Sequence, residues 1–412
     1  MNKVKAPGIT IWSRTFICMM CCSTCTSLSQ SIANPFVSTY TAFLGAGTTF
    51  VGFLTGLYFG VSVLLRPFSG PAIVFIDKKK ILFFVFITAT AVNLCYATFN
   101  NIPMFVMARI LQGAQFSVAG SISITIASDS LPKEKLGTGL GIYGLGAAVS
   151  TAIGPAIGVA LRSWGEAQFG QVGGFKCIFY AAALFPALAL IPCALTQPKV
   201  RTKEELADSG KWYKNILALK CVPSATCNLL FAMSFSLFNA YMIPYAAERG
   251  FVGISVYFTI YSLGLLLSRP ISGRLTDKIG AVRVLYISGC IFLFAFIIVS
   301  RANDIRWVYF AAVFSSLGYG GANPAFQTIC MQSIPGARRG VASNTNYLGI
   351  DSGQFLGPLI GGFIVSGFMH TGRAYSIMYL FAVVPVVCGL VVLTFTRKYI
   401  MRNLADAAAN DA

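Results

Sequence analysis

Two ionisable residues stand far inside long apolar stretches of the chain. Asp351 lies in SNTNYLGIDSGQFLGPLIGG and Arg109 in MFVMARILQGAQ. A carboxylate can take up and release a proton. A guanidinium keeps its charge and can compete for the ionised acid. A bare charge in hydrocarbon costs at least ~2.5 kcal/mol, so such residues face a cavity or a partner. The chemistry these two offer together is proton carriage. Other chemistries lack their residues. There is one histidine, His370, and no nucleophile–base pair is visible. The single Gly-Lys pair, Gly210-Lys211, is followed by Trp212, so no nucleotide-binding loop forms. The chain reads as a non-enzyme without cofactors. Cys18-x-x-Cys21 and Cys22-x-x-Cys25 resemble metal spacing but have no neighbouring His or acid, and small helix-packing residues explain them better.

The elements that must position Asp351 and Arg109 are membrane helices. The 412 residues are 56% hydrophobic and only 11% charged, and the mean hydropathy is +0.72. Twelve apolar stretches of spanning length are expected at 12–40, 48–68, 81–99, 102–128, 137–162, 174–195, 221–246, 252–272, 283–300, 305–332, 340–367 and 372–396. The first lacks the short apolar region and cleavage site of a signal peptide and is read as a retained helix. On this frame Arg109 lies about 10 Å into span 4 and Asp351 about 17 Å into span 11, near the midplane.

The chain repeats itself. Shifted by 203 residues, Tyr58 to Gly158 aligns without gaps on the second half. Arg66-Pro67 meets Arg269-Pro270, Ser69-Gly70 meets Ser272-Gly273, Gly137 meets Gly340, and Gly154-Pro155 meets Gly357-Pro358. Two six-helix halves follow, residues 1–195 and 221–396, joined by a basic linker at 196–220 and followed by a tail at 397–412. Such repeats are frequent in secondary transporters. Spans 5 and 11 carry Gly-x3-Gly pairs that bare the backbone for close helix contact, with Pro155 and Pro358 expected to kink them.

These motifs resemble the major facilitator superfamily over the whole chain. GRLTDKIGAVR (273–283) is similar to its loop signature between the second and third helices of a half. ARILQGAQ is similar to its fourth-helix motif, and GIYGLGAAVSTAIGPAIG (141–158) to the fifth-helix motif of its proton-coupled exporters. The resemblance implies an all-α fold of twelve helices in two pseudo-symmetric halves. It implies a gate formed by Arg66, Gly70, Gly273, Asp277 and Arg283, with Asp277 capping the helix that starts near Lys135. In the first half the equivalent acid is Val74, and Asp77 follows three residues later. It implies a helix-5/11 interface at Gly154, Pro155, Gly158, Gly357 and Pro358. It implies a cavity lined by helices 1, 4, 7 and 10, which here offer Gln30, Asn34, Gln112, Gln115, Asn239, Tyr241, Asn323 and Gln327. Phe36, Tyr143, Phe235 and Phe326 are the expected aromatic walls. Such a pocket suits an amphipathic or weakly polar solute. Span 1 has no acid, where some exporters of the family bind their proton, which leaves Asp351 for that task with Arg109.

The net charge of +18 is unevenly spread. With an even number of spans, 24 Lys and Arg fall on the side of both termini and six on the other, with Arg109 inside a span. The excess places both termini in the cytoplasm of a cell-membrane protein and makes a nucleic-acid partner unnecessary. The expected partners are a small-molecule substrate, protons and the bilayer, and the chain is read as a monomer. The function expected is proton-coupled efflux of a small organic solute. Uptake by symport or facilitated diffusion, and ligand sensing without transport, stay open.

Overall fold

A computed structural model describes residues 11–46, 48–198, 212–335 and 338–410, and all regular structure in it is helical. Span 1 is a helix over Arg14–Ala33, a 3-10 turn over Asn34–Phe36 and a further helix over Val37–Phe43. Pro35 lacks the N–H that a continuous helix would use at that turn. Spans 2, 3 and 4 are Thr48–Phe75, Lys78–Thr98 and Ile102–Asp129. Span 5 opens with Leu136–Tyr143, turns at Gly144 and resumes in Leu145–Leu195, which also holds span 6. Within that stretch Gly170 has φ 72°, a left-handed conformation available to glycine, and it divides the two spans. Residues 163–169, expected as loop, are helical. Spans 7 to 11 are Val222–Glu248, Ser255–Ile279, Ala281–Ser300, Ile305–Gln332 and Arg339–Phe368, and span 12 combines Ala374–Phe381 with Val383–Asn410. The last helix therefore takes in most of the expected tail.

Local signals set several of these starts. Ser13, Asp77, Asn101 and Asp304 each accept a backbone N–H of the first helical turn. Nine stretches among the described residues are long and apolar enough to span by themselves, one of them holding spans 5 and 6. Spans 8 and 10 fall short, and these carry Arg269, Asp277, Asn323 and Gln327. Gln327 is buried, Arg269 and Asn323 are half-buried on the cavity wall, and Asp277 is exposed at the helix end.

Buried apolar residues form one large cluster almost wholly within 227–400, including Phe231, Phe238, Phe292 and Tyr379, and two within residues 16–193, one of which also takes in Met331. Exposed Leu64, Phe84 and Phe395 stand outside the bundle, where hydrocarbon is the solvent. The start of span 1 and the last helix lie at one face. Thr15 donates to the carbonyl of Gln197, and Lys79 to that of Ala194, at 3.3 and 2.6 Å. Arg397, Met401 and Leu404 share a depression with Glu134, Asp277 and Arg283. Residues 199–211 of the expected linker lie outside the described residues. Ala218 beyond them donates its N–H to Thr345 Oγ1 at 2.9 Å.

Candidate functional site: a closed end, a buried ion pair and a cavity

The first six spans and the last six meet at the face that carries the termini. Asp277, near the end of span 8, accepts from the N–H groups of Gly137 and Thr138 at 2.8 Å each and from the Thr138 hydroxyl at 2.6 Å. These are free N–H groups of the first turn of span 5, where a carboxylate is favoured. The approach needs glycine on both helices, because a Cβ at Gly273 would stand 2.5 Å from the carbonyl oxygen of Gly137. Lys135 directly precedes the capped helix, and Arg283 lines the depression beside Asp277.

The repeat-related position is built differently. Val74 stands where Asp277 would fall, and Val341 where Thr138 would. Both are buried in one apolar cluster with Ala218, Cys221, Cys330, Ile334 and Ala342. Asp77 does not replace the lost acid across the interface. It caps its own span 3, accepting from Lys79 N at 2.8 Å. The charged contact in this copy is Asp129, which pairs with Lys78 at 2.6 Å and with Arg339 at 3.8 Å across the two halves. Gly70 fits beneath the carbonyl of Asn215 and the amide of Asn344.

Deeper in, Arg66 and Asp351 form a buried ion pair. Arg66 Nη2 lies 2.7 Å from Asp351 Oδ2, and neither side chain is more than 2% exposed. Arg66 Nε and the Ser62 hydroxyl donate to the same oxygen at 2.9 and 2.7 Å. Arg66 Nη1 donates to the Ser117 carbonyl and the Ser121 hydroxyl, and the guanidinium lies over the Tyr347 ring at 4.8 Å. Arg66 was expected at the gate. The reason for its deeper place is that the helix of span 2 runs on to Phe75, so Arg66 sits about 13 Å from its end. The same extension of span 8 to Ile279 carries Arg269 about 15 Å inside. The 24 cations assigned to the side of the termini include both, and neither is a loop charge.

Arg109, expected beside Asp351, is held elsewhere. It donates to Gln112 Oε1 at 2.6 Å, and to Asn34 Oδ1 and the Leu54 carbonyl at 3.2 Å. It also lies over Tyr58 at 5.3 Å. In this conformation it ties spans 1, 2 and 4 together.

A cavity of about 260 Å³ begins where the closed contacts stop. Gln30, Gln115, Tyr143, Asn323 and Gln327 line it. Gln112 lines an adjoining recess with Gln30. Spans 5, 8 and 11 also contribute, through Gly144, Arg269, Tyr347, Asp351 and Gln354. Expectation differs from structure at several positions. Asn34 is occupied by Arg109, and Tyr241 donates to the Pro358 carbonyl at 2.6 Å between spans 7 and 11. Phe36 and Phe326 are buried core residues, and Phe235 stacks on Tyr319 at 4.0 Å. Of the expected aromatic walls Tyr143 lines the cavity, and Phe116 and Tyr347 line it with Tyr143. The side chain of Asn239 lies outside the described residues. The glycine stripes of spans 5 and 11 pack in parallel ways. Gly154 and Gly158 meet Ser31, Ile32 and Phe36 of span 1, and Gly357 and Gly361 meet Met233, Ser236 and Leu237 of span 7. Both helices run on through Pro155 and Pro358.

A helix bundle repeated twice, closed at one end over a polar cavity, is matched by one family description. The Major Facilitator Superfamily model matches residues 19–252 and again 224–408. The chain belongs to the major facilitator superfamily. This superfamily member is 25% identical over 358 residues to the MFS-type transporter YtbD of Bacillus subtilis, covering 82% of the chain and 84% of YtbD. It is 24% identical over 374 residues to the multi-drug resistance efflux pump PmrA of Streptococcus pneumoniae, covering 85% and 89%. Among solved structures, the MFS transporter FucP in its outward conformation has a TM-score of 0.73 at 12% identity, covering 93% of this chain and 98% of FucP. As a member of a transporter family, the protein is a multi-span membrane transporter and not an enzyme. Two features of its site escaped a reading by residue type, the Arg66–Asp351 pair and the placement of Arg269 in the cavity. The sequence signal for both was the repeated Arg-Pro, once the helices were allowed to continue beyond it.

Proposed function

We propose that this transporter exports a small organic solute by alternating access, driven by protons entering the cell. Residues 1–195 and 221–396 act as the two moving halves, joined by 196–220, and the termini face the cytoplasm because the loop cations gather there. The single observation that carries the reading is the Arg66–Asp351 pair. It joins span 2 to span 11, and Asp351 also lines the cavity. An external proton reaching Asp351 through the cavity neutralises the acid, and the ion pair with Arg66 is lost. Removing one buried inter-half contact favours separation of the halves at the cytoplasmic end, where Asp277 and the Asp129–Arg339 pair must then let go. Solute enters from the cytoplasm and the proton leaves to it. Re-formation of the pair closes that end again.

Efflux is favoured over uptake by the fifth-helix sequence and by the likeness to PmrA, which is an efflux pump. The test is transport in proteoliposomes with and without an imposed pH gradient. A wild-type protein that moves its substrate at the same rate with and without the gradient would falsify proton coupling.

A further inference from the structure

The repeat relates two buried arginines, and their surroundings differ in one respect. Arg66 is satisfied by the Ser117 carbonyl, Ser121 and Asp351, and Ser62 donates to the same Asp351 oxygen. Shifting each side-chain partner by 203 residues gives Leu265 for Ser62, Pro324 for Ser121 and Ala148 for Asp351. None of these side chains has an acceptor. Arg269 nevertheless keeps its guanidinium. It donates through Nη1 to the Gly144 carbonyl, while its buried Nε has no acceptor among the described residues. It lies on the wall of the cavity, where the only other charged residue among those described is Asp351, already held by Arg66. A guanidinium in so enclosed a place is costly without a counter-charge. The second copy of the pair has its cation and lacks its anion.

We propose that a carboxylate of the transported solute supplies that anion, docking on Arg269 where the repeat has lost its acid at Ala148. This inference rests on the transport reading above and names the class of solute, an amphipathic organic monoanion. A planar guanidinium fork matches a carboxylate. One unmatched positive charge favours one negative charge, since a dianion would leave the excess uncompensated in a low-dielectric site. Gln115, Asn323, Gln327 and Gln354 can orient the polar part of the solute, and Phe116 and Tyr347 can cover its apolar part. The halves then gain a solute-dependent counterpart of the Arg66–Asp351 pair, formed between span 8 and the bound anion.

The experiment measures thermal stabilisation of the purified full chain by 4-phenylbutyrate and by its uncharged amide. The acid is expected to stabilise the wild type and the amide to do so much less. Arg269→Gln should raise the apparent Kd for the acid about tenfold to hundredfold, the loss of one charge-assisted contact, while leaving the amide response unchanged. Ala148→Asp should rebuild the missing pair internally and suppress the response to the acid. Should Ala148→Asp fail to fold, Arg269→Gln and Arg269→Lys still decide the matter, with partial retention expected for Lys. Equal effects of acid and amide, no effect of either, or an undiminished acid response in Arg269→Gln each overturn the inference. A proteoliposome assay separates this from the transport reading. Gradient-driven export of the cation ethidium without any carboxylate response defeats the inference alone. Carboxylate binding at Arg269 without gradient-driven movement defeats the transport reading and leaves the site.

Discussion

Arg66 and Asp351 are 285 residues apart and share a buried ion pair across the interface between the first and last six spans. The pair has no counterpart in the repeat, because Ala148 stands at the position related to Asp351 by the 203-residue shift. This ion pair therefore ties the halves together on one side of the interface only. Removing one partner of such a pair leaves the other charge uncompensated in a dry site.

Asp351→Asn should give a folded protein that exchanges substrate down its gradient and loses uphill transport. Asn keeps an acceptor for Ser62 and Arg66 but cannot ionise. The check is accumulation in proteoliposomes with and without a pH gradient. Retained accumulation in response to the gradient would assign the proton to another residue.

Arg66→Ala should destabilise the protein by roughly 3–5 kcal/mol, the scale for stranding a buried charge. Adding Asp351→Ala should recover part of the loss. A double-mutant cycle from thermal unfolding is the measurement, and a coupling near zero would mean that the pair contributes nothing to the closed state.

Asp277→Asn should weaken closure at the terminal face, since it removes the charge held by the first turn of span 5. A cysteine placed at Lys135 should react several-fold faster with a polar thiol reagent, at unchanged expression. The apolar copy behaves differently. Val74→Asp alone should lower stability, because it puts a carboxylate among Cys221, Cys330, Ile334 and Val341. Val74→Asp combined with Val341→Thr should recover stability, as it rebuilds both members of the polar copy.

Gly273→Ala should hold spans 5 and 8 apart, since its Cβ would lie 2.5 Å from the Gly137 carbonyl oxygen. The same Lys135→Cys probe should report increased access. Gly56→Ala is the control, because nothing lies within 4 Å of a Cβ there. It should change neither access nor transport.

Arg109→Lys should restore little of what Arg109→Ala loses. Arg109 holds the Leu54 carbonyl through Nε and both Asn34 and Gln112 through Nη1, and an ammonium is a point charge without that planar reach. Thermal stability and transport should fall together in both variants. Full rescue by Lys would show that charge alone matters at this position.

Sequence alone determined the span count, the internal repeat and the family. These depend on hydrophobic length and on glycine and proline in register, which are local properties of the chain. The Asp277 cap was implied by the family resemblance of its loop, and the structure has Asp277 accepting from Gly137 and Thr138. Tertiary structure decided which charges meet. Hydropathy ended spans 2 and 8 near Arg66 and Arg269, yet both helices continue past those residues, to Phe75 and Ile279. A buried arginine close to a loop carries the same hydropathy as an exposed one. Asp351 could have met Arg109 or Arg66 by composition, and only the crossing of span 11 over span 2 selects Arg66. Three of the four expected cavity aromatics, Tyr143 excepted, were misassigned for the same reason. Phe36 and Phe326 face their own half and Phe116 and Tyr347 face the cavity, a matter of helix rotation that a uniformly apolar span does not encode.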